Sequence, residues 1–210
     1  MKKPPLAVVV AAAAVAVLVI AGLLTHHGKR SPAAGPAPGA SGTPAPESGP
    51  SGSPVRVVIP SIGTDARVVP VGAAGAGGGA LSIPRSVGEV GWWNGVYTSP
   101  SGTVREKVAA PGQPGVAILA GHVDSAVEGP GALYRLDRLK PGATVTVIAG
   151  HGQATRWKVT RVQTVLKSQL PRALFVNEGR PRLALVSCGG PFDSGTGHYL
   201  DNIIAWASPA

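Results

Sequence analysis

Thr144-Val145-Thr146-Val147-Ile148, set behind the turn Lys140-Pro141-Gly142, and the longer run Arg156 to Val165 decide the fold class. In the second run Trp157, Val159 and Arg161 alternate with Lys158, Thr160 and Val162. A period of two with many β-branched and aromatic residues is the pattern of a strand with two different faces. Working outward, Val55 to Ile59 stops at Pro60, and Ala66 to Val71 runs into a Gly-rich stretch. Gly115 to Leu119 leads into Gly121-His122, Arg182 to Cys188 ends at Gly189-Gly190, and Tyr199 to Ala207 closes the series. Gly and Pro punctuate each run, as strand boundaries require. No segment carries a long helical period; Asp137 to Leu139 and Ser168 to Phe175 read as short helical turns. The expectation is an all-β barrel or sandwich with long loops.

The chain has 210 residues, of which 30 are Gly and 21 Pro, yet 44% are hydrophobic. Those figures agree only if the Pro/Gly excess is concentrated. It is: residues 31–54 hold seven Pro, five Gly, five Ser and five Ala, with only Thr43 and Glu47 besides. Such a segment cannot bury a core and reads as a solvated, extended stalk. Before it, Leu6 to Leu24 is an uncharged apolar run of nineteen residues, which at about 1.5 Å per residue spans the hydrocarbon core of a bilayer. It is longer than the apolar core of a cleaved signal peptide. Residues 1–30 therefore read as a short start and an uncleaved single-pass anchor; Lys2 and Lys3 favour a cytoplasmic start, Lys29 and Arg30 partly offset that bias, and placing the rest of the chain outside the cell draws as much on the family resemblance given below. Residues 55–210 form one domain with 15 Lys/Arg against 9 Asp/Glu, scattered singly. That dispersal suits a solvated surface and offers no stripe for a nucleic acid. One Cys excludes an internal disulfide framework and a Cys-pair zinc site.

That Cys also carries the chemistry. A free Cys is ordinarily a small buried hydrophobe. Cys188, however, stands at the exit of an apolar run, where Gly189 and Gly190 leave room beside it. A second run has the same design: Ala117-Ile118-Leu119-Ala120-Gly121-His122 delivers a His at its end. A lone His is more often structural, as His26, His27 and His151 read. One thiol and one imidazole at the ends of apolar strands in an exported protein nevertheless meet the needs of nucleophilic catalysis, the imidazolium favouring the attacking thiolate.

With these elements on the page, the chain resembles the sortases, cysteine transpeptidases of Gram-positive cell surfaces. Ala120-Gly121-His122 and Val186-Ser187-Cys188 match the family's two strand ends in order and spacing. Tyr134 to Gly142 resembles the stretch after the His, and Ile59-Pro60-Ser61-Ile62-Gly63 the first strand and its exit. Gly189-Gly190-Pro191-Phe192-Asp193 with Tyr199-Leu200-Asp201-Asn202 is most similar to the actinobacterial class E/F group, class F in particular. The resemblance implies a closed β-barrel of about eight strands with short helices and long loops. It implies His122 and Cys188 facing each other at one end of the barrel, and no cofactor. It further implies cleavage of an LPxTG-like sorting motif on surface-protein substrates through a Cys188 acyl-thioester. An amine acceptor, from the cell wall or another protein, would resolve that thioester. Gly189 and Gly190 would border the substrate groove.

One family feature is missing. Sortases generally place an Arg on the final strand, and no Arg follows Arg182 here; Leu200 stands where it is expected. Asn202 is the candidate donor in its place, while Arg182 lies roughly 20 Å from Cys188 along an extended strand. Asp124, two residues beyond His122, is a candidate for orienting the imidazole, and equally for capping a loop. Of Trp92 and Trp93, adjacency sends one ring into the core and leaves the other partly exposed. Asp124, Glu128 and Asp193 would suit a calcium ion, but no spacing requires one, and no metal is expected. Among rivals, the L,D-transpeptidase signature does not match Ser187-Cys188-Gly189-Gly190, and papain-like peptidases have the reverse order of Cys and His. A tethered β-barrel that binds peptides without turnover, its thiol inert, is the alternative from a different class.

Overall fold

The alternating runs close on themselves. The computed structural model describes residues 52–74, 80–99, 102–105 and 108–210. The apolar run Leu6–Leu24 and the stalk up to Ser51 lie outside the described residues. Among the described residues, no helix is long and apolar enough to cross a membrane.

Eight strands form a closed barrel: β1 (Pro54–Ile59), β2 (Thr64–Val71), β3 (Val90–Trp93), β4 (Val116–Gly121), β5 (Thr144–Ala149), β6 (Ala154–Leu166), β7 (Arg182–Asp193) and β8 (His198–Pro209). Around the barrel the order is β1-β5-β6-β8-β7-β4-β3-β2, returning to β1. Two neighbouring pairs are parallel, β4 with β7 and β2 with β3; the rest are antiparallel. The helical turns are short 3-10 pieces at Pro60–Ile62, Leu136–Arg138, Lys167–Gln169 and Arg172–Phe175, as the lack of a helical period foretold. The strands match the sequence reading within a few residues. β3 is the addition: it has four residues, one of them Gly91, too few to show alternation.

Closure gives every strand an inner and an outer face. Inside, Val57, Ile59, Leu119, Val145, Trp157, Leu183 and Leu185 pack into one core. Trp157 is 1% exposed, and its indole N–H donates to Thr155 Oγ1 at 2.9 Å. Outside, a second apolar layer of Trp93, Ile118, Ala184, Val186, Ile204 and Trp206 lies on β3, β4, β7 and β8. The connection between β6 and β7 covers it, contributing Leu170, Ala173, Leu174 and Val176. Gly115 holds this cover close: its φ is +103°, and a Cβ there would meet the backbone of Asn177 at 2.8 Å.

The two adjacent indoles divide between the layers. Trp93 is buried in the outer one, edge-on to Phe175 with ring centroids 5.5 Å apart. Trp92 is half-buried against the inner core. The split between opposite faces agrees with the alternation.

Candidate active site

Three outer-face columns run out at one place. On β4 the column is Val116, Ile118, Ala120; on β7 it is Ala184, Val186; on β8 it is Trp206, Ile204. The next residue of the same parity is His122, Cys188 and Asn202 respectively. The ladders put them side by side, with Gly121 opposite Ser187 across the parallel pair and Cys188 opposite Asn202 across the antiparallel one. Laterally paired residues on neighbouring strands face the same way. His122, Cys188 and Asn202 accordingly line one cavity of about 610 Å³. Its walls are largely aliphatic, from Leu81, Ile83, Ala120, Leu170 and Val186. The groove opens on the outer wall of the barrel, beneath the β6–β7 connection, because the parity of Cys188 is that of Val186 and not that of the inward Leu185.

Several bonds fix the ends of the columns. Ser187, buried between β4 and β7, donates from Oγ to Gly121 O at 3.0 Å. That bond joins the residue before Cys188 to the residue before His122. The His122 ring is held through Nε2, 2.8 Å from Pro84 O. A carbonyl oxygen can only accept, so Nε2 carries the proton and Nδ1 is the nitrogen left for proton traffic. Cys188 is half-buried and in no disulfide.

Asp124 lines the same cavity, but its Oδ2 accepts from Tyr199 OH at 2.7 Å. The carboxylate thus ties the loop after β4 to β8, and the imidazole is oriented by the Pro84 carbonyl. The bond to Asp124, with burial adding to it, pushes the Tyr199 phenol up to about 12. Asp193, the last residue of β7, accepts from Gly195 N and Thr196 Oγ1 in the turn to β8, and these bonds hold its carboxyl below the usual range. With Asp124 and Asp193 so engaged, the calcium option does not assemble. Among the described residues no group of three His, Cys, Asp or Glu is placed to hold a metal.

Gly189 and Gly190 lie away from the aliphatic groove and line a smaller cavity on the other side of Cys188. A bulge between Gly189 and Phe192 turns β7 there. Gly190 has φ +74°, and a Cβ on it would collide with Asp201 Oδ2, so only glycine fits.

Arg182 occupies the far end of the Cys188 column, where it and Arg161 lie over the Trp206 ring at 5.9 and 5.2 Å. Neither lines the groove. Among the described residues, the Lys or Arg that does is Lys167, from the β6–β7 connection. No motif marks it, since it sits in a loop 21 residues before Cys188. Tyr199 was visible only as part of a motif, and its partner Asp124 is 75 residues away.

A thiol, an imidazole with one nitrogen free and a carboxamide, gathered in an apolar groove, form a constellation for acyl transfer. Comparison with known proteins points the same way. The family model described as "Sortase domain" matches residues 57–210. No curated protein matches the sequence. Among solved structures, sortase C-1 from Actinomyces oris superposes with a TM-score of 0.52 at 18% identity, covering 74% of this chain and 72% of that one. Sortase A from Corynebacterium diphtheriae gives 0.50 at 13%, covering 74% and 59%. Sortase C1 from Streptococcus agalactiae gives 0.51 at 16%, covering 74% and 66%. At these identities the likeness is one of fold.

Proposed function

The chain belongs to the sortase domain family, and from that premise we propose that it is a membrane-anchored cysteine transpeptidase of class F. It would be held at the cell surface by Leu6–Leu24 and act on surface proteins bearing an LPxTG-like motif. The observation that carries this reading is the convergence of His122, Cys188 and Asn202 at the end of one aliphatic groove. The class rests on Cys188 to Asp193 with Tyr199 to Asn202, and the location on the uncharged run and the stalk behind it.

In this mechanism the sorting peptide lies in the groove with the carbonyl of its Thr at Cys188 Sγ. His122 takes the thiol proton at Nδ1, and the thiolate attacks the carbonyl carbon. Asn202 donates a hydrogen bond to the developing oxyanion; losing one such donor costs about 10²–10³ in rate. The C–N bond breaks, His122 returns the proton to the leaving amine, and a thioester remains on Cys188. An amine or water then resolves it. The residues act without a cofactor.

The test is to incubate the full chain with a panel of Leu-Pro-x-Thr-Gly pentapeptides and weigh the protein. A covalent adduct on Cys188 is expected with at least one peptide, absent in Cys188→Ala and formed far more slowly in His122→Ala. A native thiol that takes no peptide and no thiol reagent at neutral pH would instead identify a peptide-binding module.

A further inference from the structure

Charges that lie singly along the sequence are brought together by the barrel. Residues 138–177 contain seven Lys or Arg and no Asp or Glu, and they supply β5 and β6. On β6 the core positions are Trp157 and Val159, so alternation turns Arg156 and Lys158 outward. An irregular register after Val159 brings Arg161 to the same outer face, over the Trp206 ring. Arg182 reaches that ring from β7, on the far side of β8. The ladders extend this face to Thr144 and Thr146 on β5, beside Lys158 and Arg156. Arg156, Lys158 and Arg161 are exposed, and Arg182 is half-buried. None of the four is in an ion pair among the described residues. The acids of β7 and β8, Asp193 and Asp201, stand at the Cys188 end of those strands, away from the four cations.

We infer that this basic face docks on the anionic phospholipid headgroups of the bilayer to which the chain is tethered. The inference rests on the reading of Leu6–Leu24 as an anchor. Charge complementarity selects an anionic surface, because four cations share one face with no acid beside them. Attraction to an anionic bilayer grows with each Lys or Arg near it and fades within a Debye length. Guanidinium groups pair with phosphate oxygens in a bidentate fork, and an indole face beneath them fixes their plane. The tether selects the bilayer over a soluble polymer. The chain enters the barrel at β1, where Gly150 N, in the β5–β6 turn, donates to Ser53 O at 3.1 Å. The stalk therefore joins the barrel beside the two strands that carry most of the face. Even fully extended, residues 31–54 reach no further than about 75 Å, which holds the face at high effective concentration over the headgroups. Cys188 lies roughly 20 Å along β7 from Arg182, so docking leaves the groove open.

The experiment labels the full chain with a fluorophore at Thr146→Cys, beside Arg156, in a Cys188→Ala background that leaves one thiol. The labelled chain is reconstituted in vesicles holding a lipid with a quencher on its headgroup. One set is phosphatidylcholine, and the other is equal parts phosphatidylglycerol and phosphatidylcholine. Quenching is expected to be about twofold or more stronger with phosphatidylglycerol at about 0.1 M salt, and to fall to the phosphatidylcholine level at about 0.5 M. Arg156→Gln with Lys158→Gln and Arg161→Gln should erase the difference, and Arg156→Lys with Arg161→Lys should keep most of it. The same fluorophore at Val127→Cys, on the loop beyond His122, should respond to neither lipid. Equal quenching in both vesicles, or a difference that survives the triple Gln change, overturns the inference. Polyphosphate bound by a chain whose label ignores anionic lipid would give the face to a soluble polymer and overturn it as well. Flotation of the same samples tests the anchor separately. A chain that floats with neither vesicle removes the anchor reading and the docking with it, whereas one that floats with both keeps the anchor whatever the label shows.

Discussion

The two faces of β7 make opposite use of the same alternation. Leu183 and Leu185 point inward and have no exposed surface, sealed by seven other strands. Ala184, Val186 and Cys188 point outward, covered only by the β6–β7 connection and leaving a groove where that cover stops. The inner layer also satisfies its polar atoms, as Trp157 shows. In the outer layer the indole N–H groups of Trp93 and Trp206 are buried without a partner among the described residues. The inner face therefore supplies stability, and the outer face yields part of its packing so that a substrate can lie on it.

The sharpest way to break this contrast is to empty one position in each layer. Leu185→Ala should lower stability by about 2–5 kcal/mol, since barrel walls on every side cannot collapse into the cavity. Leu170→Ala, on the groove wall, should cost about 1 kcal/mol or less and act mainly through a raised KM for donor peptide. Urea titrations and steady-state kinetics on the two variants separate the effects. Similar stability losses at both positions would dissolve the distinction.

A smaller effect is expected at the seam. Ser187→Ala removes the bond to Gly121 O and should cost about 0.5–1.5 kcal/mol in denaturant unfolding. Because that bond joins the strand ends bearing His122 and Cys188, acylation of Cys188 should slow more than the stability change accounts for. Equal proportional losses would show that the bond serves the fold alone.

The smallest effect concerns Tyr199, which lines both cavities beside Cys188. Tyr199 keeps its proton to about pH 12, above its ordinary value near 10. A raised folded-state value means the contribution of this group is complete below about pH 10 and fades as pH climbs towards 12. Phenolate absorbance should accordingly show a late-titrating phenol in wild type that is missing in Tyr199→Phe. A wild-type profile identical to that of Tyr199→Phe at high pH would mean the Tyr199–Asp124 bond is not held in solution.

Much of this was legible in the sequence, for identifiable reasons. Alternation announces a strand wherever one side differs from the other for five residues or more, so seven of the eight barrel strands could be read. β3 could not, being four residues long with a glycine inside. His122 and Cys188 were legible because each ends an apolar run, and Asn202 because it lies in the stretch that resembles the family's final strand. The partners of the site were hidden for a different reason. Pro84 O against the imidazole, Tyr199 against Asp124 and Lys167 over the groove depend on loops whose paths are set by barrel closure. Gly189 and Gly190 read as neighbours of the groove, but alternation already sends Gly189 to the face opposite Cys188, and the irregular register that follows it carries Gly190 to the other cavity. No hydrophobic pattern records such a bulge.

The parallel pairing of β4 and β7 has a consequence in time. His122 and Cys188 stand 66 residues apart, carried by strands that no hairpin can bring together, and Asn202 arrives only with β8. Contacts of such long range form late, after the chain has already surrendered most of its freedom. A chain still being extended thus holds its thiol and imidazole apart, and the pair comes together only when the final stave closes the cask.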